Sequence, residues 1–369
     1  MSKKQMPFRA DIVGSLLRPQ PLKVARQKRD RGEMSAADLK DVEDKEIDAI
    51  IAKQKEVGLE VATDGEFRRA WWHYDFFGGL DGVKVREAAH GIQFKGVETK
   101  AQELYVHSRL GFPTNHPMLA HFAYLKSKTP ATPKMTIPSP SVMHFRIDPK
   151  SIEKSAYKDR DALLDDLAAT YQTAVKAFYD AGCRYLQFDD TVWAYLCSAD
   201  QLKQAEARGL NPATLAKDYA RVINAVLASK HSDMTITTHV CRGNFRSTWI
   251  SEGGYEPVAE LLLGGVAYDG YFLEYDTNRA GGFEPLRFLP KGKKRVVVGL
   301  VTSKSGLLED EGAIKRRLDE ATKFAPLDQL CLSPQCGFAS TEDGNDLSDE
   351  QQWAKLRLIV KIVKEVWRS

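Results

Sequence analysis

The sequence is poor in cysteine and has no long run of apolar residues. Five cysteines among 369 residues are too few for a disulfide-stabilised scaffold, and their odd number indicates reduced thiols. No segment approaches the roughly 18 consecutive apolar residues of a membrane-spanning helix. The first ten residues carry lysines but no apolar core of a signal peptide. These absences argue against a secreted or membrane protein, and we expect a cytoplasmic one.

The sequence also lacks an excess of one charge and the glycine-rich motifs that bind phosphate. Lys and Arg total 53 against 50 Asp and Glu, a net charge of +3. This balance gives no electrostatic reason to expect a nucleic acid or a membrane as partner. Neither G-x-x-x-x-G-K nor a G-x-G-x-x-G after a predicted strand occurs, which argues against a nucleotide cofactor.

Short β-branched runs alternate with longer helical stretches along the whole chain, the pattern of a parallel α/β protein. The length allows two or three domains of about 150 residues, or one large barrel. Eight runs qualify as strands: Ala10–Val13, Leu59–Ala62, Lys134–Pro138, Arg184–Phe188, Met234–Thr238, Tyr271–Glu274, Arg295–Leu300 and Gln329–Leu332. Eight strands predict a (β/α)8 TIM barrel, and six strands in a doubly wound sheet are the alternative.

Several segments between the strands have helix signals. Ser35 is expected to cap a helix that reaches Val57, and another helix runs over residues 160–181 before Gly182. The S-x-x-Q spacing at Ser198 and Ser348 predicts two capping boxes.

Two segments depart from the repeat of strand and helix. Residues 70–133 are rich in aromatic residues and glycine, and we interpret them as an insertion after the second strand, with a small hairpin. Residues 275–294 are rich in Gly and Pro and predict a short helix at most. No linker divides the chain, so one domain over residues 1–369 is favoured.

The most informative motif is His239-Val240-Cys241 at the end of the fifth predicted strand. Side chains two residues apart on a strand share a face, so His239 and Cys241 can bind one ion. Glu274 ends the sixth predicted strand and Cys336 follows the eighth, where barrel active sites lie. One His, two Cys and a carboxylate form a reasonable zinc site. The alternative is a chance H-x-C motif with cysteines buried as hydrophobic residues.

Polar side chains also follow other predicted strands: Ser15 after the first, Asp64 and Glu66 after the second, and Asp189-Asp190 after the fourth. Polar residues are common in loops and at helix caps. Carboxylates at several strand ends of one rim would however suit binding of an ammonium group or proton transfer. Strand geometry lets only one of Asp189 and Asp190 face the pocket. The remaining cysteines and histidines show no ligand spacing and are expected to pack in the core or lie at the surface.

Taken together, these segments resemble the cobalamin-independent methionine synthase family, in particular the catalytic C-terminal half of those enzymes. The resemblance runs in order through five segments: residues 11–15, 63–66, 187–190, 239–241 and 336–337. It implies a (β/α)8 barrel and a zinc ion bound by His239, Cys241, Glu274 and Cys336. It also implies transfer of a methyl group to the thiol of homocysteine, which gives methionine, with a methyltetrahydrofolate-type donor.

The resemblance also implies roles for residues around the metal. Ser15 would bind the carboxylate of homocysteine, and Glu66 and Asp189 would bind its ammonium group. Lys304 stands near the place of an acid–base histidine of the family, and with Asp190 it is a catalytic candidate. Tyr195 replaces an acidic residue near the pterin, and the N-terminal half that helps to bind polyglutamate folate has no counterpart, so the donor and its binding residues stay open.

Other functions fit the same residues. One is alkyl transfer to another thiol, as in epoxide-opening relatives that use coenzyme M, or methyl transfer from a donor other than folate. Another is a zinc hydrolase or lyase, although such barrels more often use several His and Asp ligands. A non-enzymatic zinc module would have ligands close together in sequence. The oligomeric state and any auxiliary protein are not addressed by the sequence.

Overall fold

The computed structural model describes residues 5–368, so positions 1–4 and 369 of the predicted single domain lie outside the described range. Its strands are, in chain order, β1 (Val61–Ala62), β2 (Asp81–Glu87), β3 (Gln93–Phe94), β4 (Val97–Glu98), β5 (Gln102–Gly111), β6 (Thr132–Pro138), β7 (Tyr185–Asp190), β8 (Thr235–Val240), β9 (Gly270–Glu274), β10 (Arg295–Val301) and β11 (Leu330–Pro334).

Seven of these strands form one curled parallel sheet among the described residues. Its order is β1-β6-β7-β8-β9-β10-β11, which follows the chain without reversal. A doubly wound sheet would reverse its strand order at a switch point, so that alternative is wrong. The molecule therefore has an α/β fold resembling a TIM barrel, in which strands β7, β9, β10 and β11 are buried along their whole length.

The parallel register brings the carboxyl ends of the strands to one rim. Asp189 of β7 lies opposite His239 of β8, and Glu274 of β9 lies opposite Gly299 of β10. Strands β7 and β8 each extend two residues beyond their predicted ends, to Asp190 and Val240. Asp189 and His239 thus belong to the sheet itself and are held by its ladder of hydrogen bonds.

The predicted first strand, Ala10–Val13, forms only a single bridge, between Ala10 and Leu332 of β11. The prediction of a regular strand there is wrong, because the segment turns inward at Asp11. The Asp11 carboxylate accepts hydrogen bonds from the backbone N–H groups of Phe8 (2.9 Å) and Ile12 (2.8 Å) and pairs with the buried Lys134. The same segment reaches the other edge of the sheet, where the Leu16 N–H donates to the Gly65 carbonyl (3.1 Å).

One arginine, Arg18, connects the N-terminal segment to the loops after β1 and β11. Arg18 is 3% exposed, and its guanidinium donates to the carbonyls of Glu66 (2.8 Å), Arg69 (3.0 Å) and Ala339. Burial lowers the pKa of Arg18 to about 10, which leaves it charged at neutral pH. Three loops, which follow the N-terminal segment, β1 and β11, are therefore held together by side-chain hydrogen bonds. Backbone hydrogen bonds between strands are missing at this place.

The helices pack outside the sheet: α1 (Gln20–Asp30), α2 (Ala36–Val57), α3 (Tyr74–Phe77), α4 (Pro117–Lys128), α5 (Pro140–Arg146), α6 (Arg160–Asp180), α7 (Val192–Tyr195), α8 (Ala199–Ala207), α9 (Pro212–Leu227), α10 (Glu256–Ala259), α11 (Glu311–Thr322) and α12 (Asp349–Val366). Within residues 5–368, no helix has the length and apolar character needed to cross a lipid bilayer.

The helix caps test the predicted boundaries. Ser35 caps α2 by accepting from the Asp38 N–H (3.0 Å), and Ser348 forms the predicted capping box of α12 with Gln351. Ser198 precedes α8 but makes no capping hydrogen bond, so the second predicted box is wrong. The Gln201 amide that would complete it is directed toward Gln204 instead (3.5 Å).

Residues 70–133 contain two antiparallel strand pairs, β2 with β5 and β3 with β4, together with α3 and α4. We call residues 88–104, which include β3 and β4, the hairpin segment. Residues 275–294 form only the 3₁₀ turns Asn278–Ala280 and Glu284–Phe288, as predicted.

Candidate functional site

Four side chains with metal-ligating atoms converge at the rim where the strands end. His239 lies in β8, Cys241 follows it, Glu274 ends β9, and Cys336 follows β11. One ligand atom from each lies within 4.8 Å of the others, and all four residues are buried. The structure therefore brings together the four residues that the sequence predicts as ligands, although the furthest are 97 positions apart.

The cluster fits a bound metal ion. Both ring nitrogens of His239 and Oε2 of Glu274 are buried without a hydrogen-bond partner among the described residues. Buried polar atoms without partners are costly, and a cation would satisfy them. The Sγ atoms of Cys241 and Cys336 are 3.6 Å apart, close to the roughly 3.8 Å between two sulfurs bound tetrahedrally to zinc. Two sulfurs, a nitrogen and a carboxylate oxygen are donors that suit zinc.

The protonation of the cluster follows from its contacts. The contact between the sulfurs of Cys241 and Cys336 raises the pKa of Cys241 and lowers that of Cys336 well below its ordinary value. Burial raises the pKa of Glu274. Lys304 lies beside the cluster, where its Nζ donates to the Gly243 carbonyl (3.0 Å) and to Asn244 Oδ1 (2.8 Å). Its charge lowers the pKa of Cys336, so the rim provides a cation next to the thiolate.

One narrow pocket of about 40 Å³ adjoins the cluster. It is lined by His239, Cys241 and Cys336 and by the three residues predicted to bind an amino acid, namely Ser15, Glu66 and Asp189. The structure therefore places predicted metal ligands and predicted substrate-binding residues on the same cavity.

Ser15 is held by the loop that carries Cys336. The Ala339 N–H donates to Ser15 Oγ (3.3 Å), and the Phe338 N–H donates to the Ser15 carbonyl (2.9 Å). A Cβ atom added at Gly337 would lie 1.9 Å from Ser15 Oγ. Only glycine at position 337 leaves room for the Ser15 hydroxyl in this pocket.

Glu66 and Asp189 differ in their partners. Glu66 pairs with Arg69 and accepts from Thr136 Oγ1 (2.8 Å). Asp189 accepts from Gln187 Nε2 (2.7 Å) and forms no ion pair within residues 5–368. Burial and the charge of Glu66 raise the pKa of Asp189 to about 7. Asp189 is therefore the acid of this pocket whose charge most needs a cationic ligand.

Asp190 is directed away from the pocket. Its carboxylate accepts from Ser141 Oγ (2.5 Å) and from the Val192 N–H (2.7 Å), and the side chain is completely buried. This arrangement follows the expectation that only one residue of the Asp189-Asp190 pair faces the cavity. A catalytic role of Asp190 stays a prediction.

The sequence reasoning missed several residues that line or support the pocket. Arg69 is one of them, although its position three residues after Glu66 suits an ion pair. The opposite wall is apolar and comes from the segment that we interpreted only as an insertion, with Trp71, Trp72, Ile92 and Phe94. The aromatic cluster at residues 71–77 was the available signal for this wall.

A second, larger cavity of about 940 Å³ lies beside the first, between the hairpin segment and α7 and α8. Ile92, Phe94 and Arg146 line both cavities. Tyr195 lines the larger cavity and accepts a hydrogen bond from Arg146 (2.5 Å).

Comparisons with known proteins identify relatives over the whole chain. The profile of the family described as "Cobalamin-independent synthase, Catalytic domain" matches residues 8–364. The uncharacterized Bacillus subtilis proteins YxjH and YxjG are each 52% identical, over 99% and 100% of this chain and 96% and 97% of their own lengths. A Mesorhizobium japonicum 5-methyltetrahydropteroyltriglutamate–homocysteine methyltransferase is 23% identical over 90% of this chain but only 39% of its own length.

Solved structures agree with these relatives. A candidate vitamin-B12-independent methionine synthase from Listeria monocytogenes superposes with a TM-score of 0.80 at 43% identity, over 99% of both chains. A B12-independent methionine synthase from a Shewanella species, solved with selenomethionine, has a TM-score of 0.71 at 19% identity over 98% of both chains, which supports the fold alone.

Proposed function

Because the chain belongs to the family of cobalamin-independent synthase catalytic domains, we propose that it is a zinc-dependent methyltransferase that converts homocysteine to methionine. The proposed ligands of zinc are His239, Cys241, Glu274 and Cys336, and the proposed donor is a methyltetrahydrofolate. The observation that carries the proposal is the shared pocket of the metal-ligand cluster with Ser15, Glu66 and Asp189.

The pocket suits an amino acid with a thiol. The carboxylate of homocysteine would accept from Ser15, and its ammonium group would lie between Glu66 and Asp189. Since Arg69 already neutralises Glu66, the ammonium group mainly offsets the charge of Asp189. A zinc ion bound by the four ligands would supply the positive charge that favours the thiolate form of the substrate near neutral pH.

The transfer itself is a displacement at carbon. The homocysteine sulfur attacks the methyl carbon, the bond between that carbon and the donor nitrogen breaks, and the electron pair leaves with the donor, which takes up a proton. Trp71, Trp72 and Phe94 line this pocket with apolar surface, which would reduce the access of water to the reacting groups. Lys304 is the proposed acid–base group, because its Nζ is fixed beside the cluster by two hydrogen bonds.

The contacts of the N-terminal segment support a complete barrel. We infer that residues 9–16 occupy the eighth position of a (β/α)8 barrel, since they contact both β11 and the loop after β1. All five cysteines are free thiols, in keeping with a proposed cytoplasmic location, where thiols stay reduced.

The direct test is to incubate the zinc-loaded protein with homocysteine and 5-methyltetrahydrofolate, as monoglutamate and triglutamate, and to measure methionine. We expect methionine with zinc and none after chelation. 2-Mercaptoethanesulfonate serves as the competing thiol, because it has no ammonium group for Asp189 to bind. A preference for that sulfonate, or no acceleration of homocysteine methylation above the uncatalysed rate even with methyl iodide, would contradict the proposal.

A further inference from the structure

The larger cavity contains two arginines without a counter-ion. Arg146 ends α5 and lines both cavities, and Arg208 follows α8 on the wall of the larger one. Neither guanidinium has a carboxylate within 4.0 Å in the described part of the chain, and the Nε atom of each is buried without a hydrogen-bond partner. Within residues 5–368, the Arg146 guanidinium donates a hydrogen bond only to the neutral Tyr195 hydroxyl.

These two arginines lie close together. Burial is the largest cause that lowers the pKa of Arg208, and the charge of Arg146 is the second largest. Aromatic rings support both guanidinium groups: Arg208 lies 4.9 Å from the ring centroid of Phe145, and Arg146 lies 5.5 Å from that of Tyr195. Neutral groups thus hold two positive charges at the cavity wall, and the nearby Asp148, whose charge raises the pKa of Arg208, does not come within 4.0 Å of either guanidinium.

Two other half-buried arginines of this protein have acidic partners. Arg68 pairs with Glu43 and Asp44, and Arg160 pairs with Asp218 (3.0 Å). Partly buried charges are costly unless they are paired, so Arg146 and Arg208 leave uncompensated positive charge on the wall of this cavity.

The acids around the cavity do not supply the missing charge. Glu103 pairs with Arg86 (2.7 Å) and Glu252 with Lys95 (3.5 Å). Asp200 also lines the cavity, but it lies eight residues before Arg208 on α8, about 12 Å along the helix axis. The region around the two guanidiniums therefore has a local positive charge that faces open space.

We infer that Arg146 and Arg208 bind an anionic group, a carboxylate or a phosphate, of the second substrate. This inference rests on the proposed function, because that substrate would be the methyl donor. Arg146 stands at the boundary of the two cavities, so a donor bound by its anionic group would direct its methyl-bearing end into the pocket with Cys336. Guanidinium groups suit both anions, since they form paired charge-assisted hydrogen bonds.

The test compares an anionic and an uncharged methyl donor. Arg208→Ala, Arg146→Ala and Arg208→Lys are assayed with homocysteine and either 5-methyltetrahydrofolate or methyl iodide. The control is Arg184→Ala, because Arg184 also lies over an aromatic ring, Tyr179 (3.7 Å), but is paired with Asp233 far from the cavity. Loss of a hydrogen bond to a charged group should raise the KM for 5-methyltetrahydrofolate about tenfold or more.

We expect each alanine variant to lose at least tenfold more kcat/KM with the folate than rate with methyl iodide, and Arg208→Lys to lose less. Equal losses with the two donors, or a rise confined to the KM for homocysteine, would overturn the inference. The latter result would assign Arg146 to the carboxylate of homocysteine.

Calorimetric titration distinguishes the two sources of the anion and does not depend on turnover. If the anion is a phosphate, inorganic pyrophosphate binds the wild-type protein and not Arg208→Ala. If it is a folate carboxylate, 5-methyltetrahydrofolate shows this difference. If neither ligand does, the inference is wrong. A wild-type protein that methylates homocysteine with neither donor would contradict the proposed function, while these titrations still decide the role of the arginines.

Discussion

The two sides of the candidate active site differ in how their charged groups are neutralised. On the side of the sheet, Glu66 is paired with Arg69, and Ser15 accepts a hydrogen bond from the Ala339 N–H, while Asp189 is left for a cationic ligand. On the side of α5 and α8, Arg146 and Arg208 contact aromatic rings and a tyrosine hydroxyl and have no ion pair within residues 5–368.

This difference indicates which substrate each side is built for. The sheet side is formed by strand ends and by tight loops such as Gly337, whose backbone geometry allows little change. The helix side carries two arginine side chains, one at the end of α5 and one just after α8. Under the proposed function, the sheet side would bind the acceptor and the two arginines would bind the donor.

The largest effect is expected from removing a metal ligand on the sheet side. Cys336→Ser should lose bound zinc and reduce methionine formation at least about 100-fold, because a hydroxyl is a poor replacement for a thiolate ligand. Zinc content per chain is measured by mass spectrometry. Cys331→Ser is the control, since Cys331 is equally buried but lies among apolar core residues. Full zinc content in Cys336→Ser would show that Cys336 is not a ligand.

A smaller effect is expected when Gly337 is replaced by alanine. The new Cβ would lie 1.9 Å from Ser15 Oγ, so the hydroxyl must move from the pocket. Loss of one hydrogen bond to the substrate carboxylate should raise the KM for homocysteine about tenfold with zinc content unchanged. Gly264→Ala is the control, because its nearest neighbour is 3.6 Å away. An unchanged KM would remove Ser15 from the acceptor site.

The smallest effect concerns His144, which packs beside the arginines of the helix side. Burial and the charge of Arg160 lower the pKa of His144 to about 3. Since the unfolded chain binds this proton near pH 6.5, stability should be unaffected above that pH. It should fall between about pH 6.5 and 3, by at most about 1.4 kcal/mol per pH unit.

Urea unfolding of wild type and His144→Gln at pH 7, 6 and 5 measures this dependence. The variant should lose less stability on acidification than the wild type. His121, whose pKa is also lowered to about 3 by burial, should behave in the same way. Equal slopes in the wild type, His144→Gln and His121→Gln would contradict the expected protonation.

The order of strands and the metal-ligand cluster could be predicted because they follow from local patterns. Buried parallel strands are short apolar runs, and their ends meet at one rim, so His239, Glu274 and Cys336 could be expected to converge. The strand predicted at Ala10–Val13 failed because Asp11 turns inward to a distant lysine, Lys134, which no local pattern indicates.

The second cavity was beyond prediction for the same reason. Arg146 and Arg208 are 62 positions apart and belong to separate helices, so only the packed structure shows that they share a wall. Likewise, the aromatic residues after β1 predict a packed cluster but not the pocket that they enclose. Charge relations across tertiary contacts, rather than secondary structure, are what the sequence did not reveal.

The contact that Arg18 makes between the N-terminal segment and the loop after β1 has a consequence for substrate binding and stability. Ser15 lies in the N-terminal segment and Glu66 in the loop after β1. An amino acid bound to both residues would therefore connect these two parts of the fold. By linkage, a ligand at 100 times its Kd adds about 2.7 kcal/mol to the folded state. Binding of the substrate would then stabilise the contact between residues 9–16 and the loop after β1, where no continuous strand pairing is found among the described residues.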